Sequence, residues 1–510
     1  MKRVSRNINT LVNEDIAKLA TGASVSMVGK IMGRGSLAVM QIVLARFLGP
    51  ELFGLYALGY TILRVGELLG HLGLNNGVIH FGSSYWGKDN RNLKRVLYQS
   101  IGYAFLSGTL IGALLFLSAP WLAVEVFAKP ELTRVLRWFA PAFPLVAGLR
   151  VAAAATRISE RIIFTVYAED LLQPLASLFF VGVVYLLGLG LGGAVLASTL
   201  SFALAFALAL YYVRLIFSSA LNTKGYSRRD GKELLLYSLP TAFSGLFTLL
   251  TMWIDRLLVG YFQPTSDVGI YQAASQTAML FGVILTAFNV IFAPMIARLY
   301  YSGAKERLAE MYKVSTKWGL YISLPIFLVV LFASGDVMTL IYGAEYQRGA
   351  IPLTILSTAQ LINAGTGAVG FILIMTGRQQ RWLAISAIMF FLDLGLNLML
   401  IPKMGIVGAA IGTAFAVAGL FVLALIQVKY ELDLWPYDKR YFKGLLATIT
   451  TVTIILLVRL IPMPIFFFVA LIFLFSIITF AGILILLGLD GEDIELVRLV
   501  QLRVHQVLIG

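Results

Sequence analysis

Twelve ionisable residues inside or at the ends of long apolar stretches stand out, and their spacing limits the chemistry they could do. Lys30 and Arg34 are four apart and share one helix face, while Arg64, Glu67 and His71 follow a three-then-four spacing that keeps them on another. Arg150 and Arg256 stand in later stretches, and Arg46 closes the first. An ionisable group facing lipid costs a few kcal/mol, so such groups line wet cavities or pair with one another. A surplus of cations suits an anionic ligand, and the planar fork of Arg can take phosphate oxygens two at a time. The competing reading pairs Arg64 with Glu67 and Arg256 with Asp255, or lets the side chains snorkel to an interface. Glu67, Asp255 and Asp393 are the deepest carboxylates, suited to neutralising a neighbour or to carrying a coupling H+ or Na+. Neutralisation is favoured for Asp255, beside Arg256; Asp393 has no basic neighbour, which leaves coupling open. Glu169 and Asp170 open the fifth apolar stretch and read as interfacial.

The elements that position these groups are membrane helices. Hydrophobic residues make up 59% of the 510-residue chain and charged ones 13%, and mean hydropathy is +0.86. A helix needs roughly 20 apolar residues to cross a bilayer, and cutting the chain at its polar breaks leaves about fourteen such spans. The fold class expected is an all-α polytopic membrane protein. Residues 1–19 are polar or amphipathic, unlike a secretory signal, so the N-terminus is expected to be retained. With it placed in the cytoplasm, about 28 of the 40 lysines and arginines fall on that side and about 7 on the other, which puts both termini in the cytoplasm. Trp86, Trp121, Trp318, Trp382 and Trp435 fall near span ends, as an interfacial belt requires.

The chain also repeats itself. Phe53-Gly54-Leu55-Tyr56 aligns with Val268-Gly269-Ile270-Tyr271 at an offset of 215, and Gly190, Gly193 and Ala194 align with Gly405, Gly408 and Ala409 at the same offset. Two matches at one offset predict a duplicated six-span unit. Six is even, so both copies enter from the same side and the copies should be related by a pseudo-twofold axis along the membrane normal. The division expected is a cytoplasmic segment 1–21, an N-lobe 22–218, a linker 219–236, a C-lobe 237–430, two extra spans within 431–489 and a cytoplasmic tail 490–510.

Three phrases carry a resemblance: ARFLGPELFGLYAL from Ala45, SLPTAFSGLFTLLTMWIDRLLVGYFQPTSDVGIYQAA from Ser238, and LNLMLIPKMGIVGAAIGTAFA from Leu396. In order and spacing the chain resembles the polysaccharide flippases of the multidrug/oligosaccharidyl-lipid/polysaccharide exporter superfamily. The resemblance implies two six-helix lobes that move a polyprenyl-linked sugar across the cytoplasmic membrane by alternating access. The repeated phrases are then the outer hairpins of the two lobes. On this reading Lys30, Arg34, Arg64, Arg150, Arg256 and Arg46 form a cationic cavity for the phosphate or pyrophosphate of the lipid carrier. The inside-negative potential favours outward movement of that anion by ~2.3 kcal/mol per charge per 100 mV. Partners are the lipid-linked oligosaccharide, membrane lipids, a coupling ion and polysaccharide-assembly enzymes; nucleic acid is not among them. A drug/cation antiporter of the same superfamily is the alternative, against which the cation-rich spans argue. A membrane glycosyltransferase or polymerase is the third reading, and the longest outer loop, FASGDVMTLIYGAEYQRGA, is short for one.

Other motifs lead nowhere. GLGLGG at Gly188–Gly193 satisfies a dinucleotide-binding pattern but follows an apolar helix instead of a strand, so a tight hairpin is expected. VGKI at Val28 lacks the flanking residues of a phosphate loop. There is no cysteine, and the three histidines, His71, His80 and His505, have no metal-ligand spacing. Neither a cofactor nor a metal is expected, and the chain is expected not to be an enzyme. In the tail, Leu496, Val497, Val500, Val504, Val507 and Leu508 share a helical stripe that suits a helix lying on the cytoplasmic leaflet.

Overall fold

A computed structural model describes residues 2–223 and 231–494. Its regular structure is helical throughout, with no strand among the described residues. In chain order the longer helices are α1 (Lys2–Gly70), α2 (Leu74–Tyr85), α3 (Asn90–Trp121), α4 (Leu132–Phe139), α5 (Ala142–Thr156), α6 (Gln173–Leu187), α7 (Gly190–Ile216), α8 (Lys232–Phe262), α9 (Thr265–Tyr301), α10 (Lys305–Tyr342), α11 (Ala350–Thr366), α12 (Val369–Met375), α13 (Gln379–Leu432), α14 (Tyr441–Val458) and α15 (Ile465–Leu486). A π-helical segment, Val166–Leu172, precedes α6.

Among the described residues nine helices are long and apolar enough to cross a membrane, ten if the bent pair Ala344–Thr366 and Val369–Met375 counts as one span. The chain is thus a multi-pass membrane protein. The fourteen expected spans are not separated one by one, because two helices each run through two of them. α1 breaks at Gly49 (φ 70°, ψ 171°), immediately before Pro50. α13 breaks at Gly405 (φ 58°, ψ −136°), three residues after Pro402. Positive φ is open to glycine at little cost, and proline restarts a helix whose first N–H has no partner in any case. Gly190, the repeat partner of Gly405, has φ 59°. The expected hairpin at Gly188–Gly193 is there, between α6 and α7. The stripe from Leu496 to Leu508, His505 and residues 224–230 of the linker lie outside the described residues.

The chain divides into two compact units, Met1–Ala273 with Phe390–Ala409, and Ala274–Met389 with Ala410–Gly510. In the first, the two echoed phrases touch each other. A Cβ added to Gly54 would land on the carbonyl oxygen of Thr265, and one added to Gly269 would land on that of Pro50. Thr265 is Pro50 shifted by 215 and Gly269 is Gly54 shifted by 215, so the contact reads the same from either side. Only glycine lets two helix backbones come this close. At the same end, the Lys129 ammonium donates to the carbonyl of Gly260 at 2.6 Å, a cation on the C-terminal turn of α8 where the helix dipole favours one. In the second unit, α9, α10, α12 and the end of α13 bury Ile296, Leu299, Leu308, Tyr312, Val369 and Val428 together. Ser476 of α15 donates to the Pro325 carbonyl of α10 at 2.7 Å.

Candidate functional site

The charges of the first unit converge. α1 continues past Gly49 as an unbroken helix, so Arg64 and Glu67 lie one turn apart, and Arg64 Nη1 donates to Glu67 Oε2 at 2.5 Å. The other Glu67 oxygen accepts from Arg150 Nε on α5. Arg150 Nη1 reaches across to Glu169 Oε1 at 3.2 Å, and Arg157 Nη2 stands 3.6 Å from Glu169 Oε2. Asp170, next along the π-helical segment, feels the charges of Lys30, Arg150, Arg157 and Arg34. The wider helical turn at residues 166–172 sets two consecutive carboxylates toward these cations; single π turns often mark functional sites.

The first stretch of α1 reaches the cluster by close packing. Gly33 lies so near the backbone carbonyl of Asp170 that any side chain there would collide with it, and Gly29 sits against Val166. Lys30 and Arg34, each one position further along, therefore flank Asp170. Lys30 is half-buried and Arg34 exposed. Lys30 has no ion pair within 4 Å among the described residues. Among the described residues the cluster holds five cations, Lys30, Arg34, Arg64, Arg150 and Arg157, against three carboxylates, Glu67, Glu169 and Asp170. Glu67 is buried, but the side chains of Arg64 and Arg150 keep 22% and 31% of their surface. Guanidinium groups held in place by carboxylates yet reachable from outside are poised to accept a second anion. His71 closes the row at the break between α1 and α2, where its Nδ1 accepts from the Gly73 N–H at 3.2 Å, which leaves any single ring proton on Nε2.

Four of the expected residues, Arg64, Glu67, Arg150 and Lys30, meet at this site with Arg34 beside them. Arg256 does not belong to it as a cavity-lining cation. It is 1% exposed and its hydrogen-bonding capacity is spent inside the protein: Nε donates to Gln272 Oε1 at 2.6 Å, and Nη1 to the Met252 carbonyl at 2.5 Å and to Asp255 Oδ1 at 3.1 Å. Its guanidinium lies 4.9 Å from the centre of the Trp253 ring. A buried cation is tolerable only when satisfied in this way. Asp255 neutralises it, as expected, and also accepts from the Tyr271 hydroxyl at 2.7 Å. Asp393 is fully buried and accepts from the Asn397 amide at 2.7 Å, within α13. Arg46 is exposed, three residues before the break at Gly49. Glu169 and Asp170, expected at an interface, form the cluster's acidic side. Arg157 was missed, because it sits in the turn after α5 and its partner Glu169 is twelve residues further on, beyond helical spacing. The one signal that could have found this side was two adjacent carboxylates at the mouth of an apolar stretch, facing a first stretch that holds cations and no acid.

The second unit holds two further features. α9, α10 and α15 line a half-open apolar pocket of about 360 Å³, with Leu280, Phe281, Val330, Phe466, Val469 and Phe473 among its walls. The Lys317 ammonium, 1% exposed, meets Asp490, Glu492 and Asp493 at 2.9–3.0 Å, and Trp318 Nε1 donates to Asp493 at 2.8 Å. Arg440 bridges Glu492 and Glu310, so the start of α14, α10 and the segment after α15 are tied at one end.

Residues 43–350 match the family described as polysaccharide biosynthesis protein. The capsular polysaccharide biosynthesis protein CapF of Staphylococcus aureus is 26% identical over 180 residues, 35% of this chain and 46% of that protein. The probable low-salt glycan biosynthesis flippase Agl15 of Haloferax volcanii is 23% identical over 216 residues, 41% of this chain and 46% of that protein. The matched stretch thus spans about half the length of these curated relatives. Among solved structures, the lipid II flippase MurJ in an inward closed conformation superposes with a TM-score of 0.73 over 90% of this chain and 97% of that one, at 12% identity. At that identity the likeness speaks for the fold.

Proposed function

The chain belongs to the polysaccharide biosynthesis protein family, and from that premise we propose that it is a flippase. Its cargo would be a polyprenyl-(pyro)phosphate-linked oligosaccharide or a related cell-envelope precursor, moved across the cytoplasmic membrane by alternating access. The observation that carries this reading is the excess of cations, five to three among the described residues, in the cluster of Glu67, Glu169 and Asp170, with Lys30 lacking an ion pair among the described residues. A diphosphate would complete the charge balance, displacing the carboxylates from Arg64 and Arg150 or adding to them. Transport here is physical movement, so no covalent step and no catalytic residue is invoked.

The finer architecture belongs to the same proposal. Two six-helix lobes, followed by two extra spans, account for the glycines of matching φ at 190 and 405 and for the mirrored contact of Gly54 with Gly269. Both termini lie in the cytoplasm on the charge distribution of the loops. Asp393 is the carboxylate proposed for ion coupling, and assembly enzymes of the same glycan are the proposed partners. The test is flipping of a fluorescent polyprenyl-pyrophosphate oligosaccharide in proteoliposomes, run beside efflux of a cationic dye. Flipping without dye efflux supports the proposal; dye efflux without flipping favours the antiporter.

A further inference from the structure

Close to the cluster, and unused by the phosphate chemistry, Tyr60 of α1 and Trp253 of α8 meet with ring centroids 6.1 Å apart and planes inclined by 59°. Tyr60 precedes Arg64 by four residues, so it sits on the same helix face about 6 Å along the axis. Both rings are half-buried, whereas the neighbouring Tyr56 and Phe139 are fully buried. Each is braced from behind. Tyr60 stacks on Tyr56 at 5.9 Å and abuts Phe139 at 6.4 Å. Trp253 is braced by the guanidinium of Arg256, itself fixed by Gln272 and Asp255. Among the described residues neither the Tyr60 hydroxyl nor the Trp253 indole N–H has a hydrogen-bond partner, and neither is sealed from solvent.

Two rigid rings with unspent polar edges, one helical turn from a phosphate-binding Arg, match the chemistry of a sugar. The electron-rich face of an aromatic ring attracts the polarised C–H bonds on one side of a pyranose, and the ring edges reach its hydroxyls. Ordering such rings costs little, since each has two torsions and both are already packed. We propose that Tyr60 and Trp253 form a sugar-contact subsite that receives the residue directly attached to the phosphate held at Arg64. The proposal rests on the flippase reading and sharpens it: recognition begins at the first sugar, not only at the phosphate.

The test is equilibrium binding to the full chain in nanodiscs of two radiolabelled probes, polyprenyl diphosphate and the same lipid carrying one N-acetylglucosamine. The wild type is expected to prefer the glycosylated probe about tenfold. Tyr60→Leu/Trp253→Leu should bring that ratio close to one, and Tyr60→Phe, which keeps the ring, should retain most of it. Should the double variant fail to fold, Tyr60→Phe/Trp253→Phe replaces it, with an expected drop of the ratio by a few fold. An unchanged ratio in the double variant overturns the subsite, as does a parallel loss of affinity for both probes, which would mean a packing role. A wild type that binds both probes equally removes the subsite alone. One that binds neither removes the flippase reading and the subsite with it.

Discussion

Glu67 is the residue on which the cluster turns, because it is buried and joins guanidinium groups from two long helices, Arg64 of α1 and Arg150 of α5. Glu67→Ala leaves both cations facing each other, and a loss of about 2–3 kcal/mol is expected, between the values for exposed and fully buried pairs. Glu67→Gln keeps one acceptor and should lose less; thermal melts of the purified variants rank them. Arg256→Ala should cost more, about 3–5 kcal/mol, because it strands a buried Asp255. That residue marks the limit of sequence reading here. Arg64 with Glu67 was legible, since helical spacing alone brings them together. Arg150 with Glu169, and Arg256 with Gln272, depend on which helices pack, and nothing in the local sequence separates a cation lining a cavity from one sealed in the core. At the polar end of the second unit, burial works against the Asp490 carboxylate, but hydrogen bonds from Lys443 and Lys317 and their charges outweigh it and hold its pKa below the usual 3.8. A depressed pKa contributes stability above the unfolded value and loses it as pH falls through the folded one. Melts should therefore show a stabilisation on the order of 1 kcal/mol that is full above about pH 4 and fades below it. Asp490→Asn should lack that acid-sensitive limb.

Helices meet where their sequences allow backbone contact. Gly54 and Gly269 face each other's neighbouring carbonyls, so Gly54→Ala and Gly269→Ala must push the two segments apart, at a cost of about 1–3 kcal/mol each. The mirrored geometry predicts that the two variants lose similar amounts. At Gly405 the problem is conformational: alanine there must adopt φ 58° and should cost about 1 kcal/mol, while Gly395→Ala, in open space within the same helix, should be neutral or slightly stabilising. Melting temperatures of the four variants check both statements. The breaks at Gly49 and Gly405 were legible from Gly and Pro in apolar stretches. The π-helical turn at residues 166–172 was not, because VYAEDLL carries no signal for a wider turn; its position follows from Gly29 and Gly33 on the packed partner.

For the whole molecule, the multi-pass helical class followed directly from composition, and the offset of 215 pointed to equivalent turns before any contact was known. The grouping of contacts is different from the grouping of repeats: the whole of α8, from the second expected lobe, belongs to the first compact unit. Ser238 against Gly77 and Gly260 against Lys129 tie it there, and such tertiary ties leave no periodic trace in the sequence. In the proposed function the cations of this unit hold the phosphate of a lipid-linked sugar while it crosses the membrane. The most direct test is the flipping rate of a fluorescent polyprenyl-pyrophosphate oligosaccharide in proteoliposomes, comparing the wild type with Lys30→Ala/Arg34→Ala. Neither side chain is buried, so the variant should melt within a few degrees of the wild type. The account predicts that its flipping falls at least about tenfold, the loss of two charge-assisted phosphate contacts. Flipping at the wild-type rate by the folded variant would contradict it.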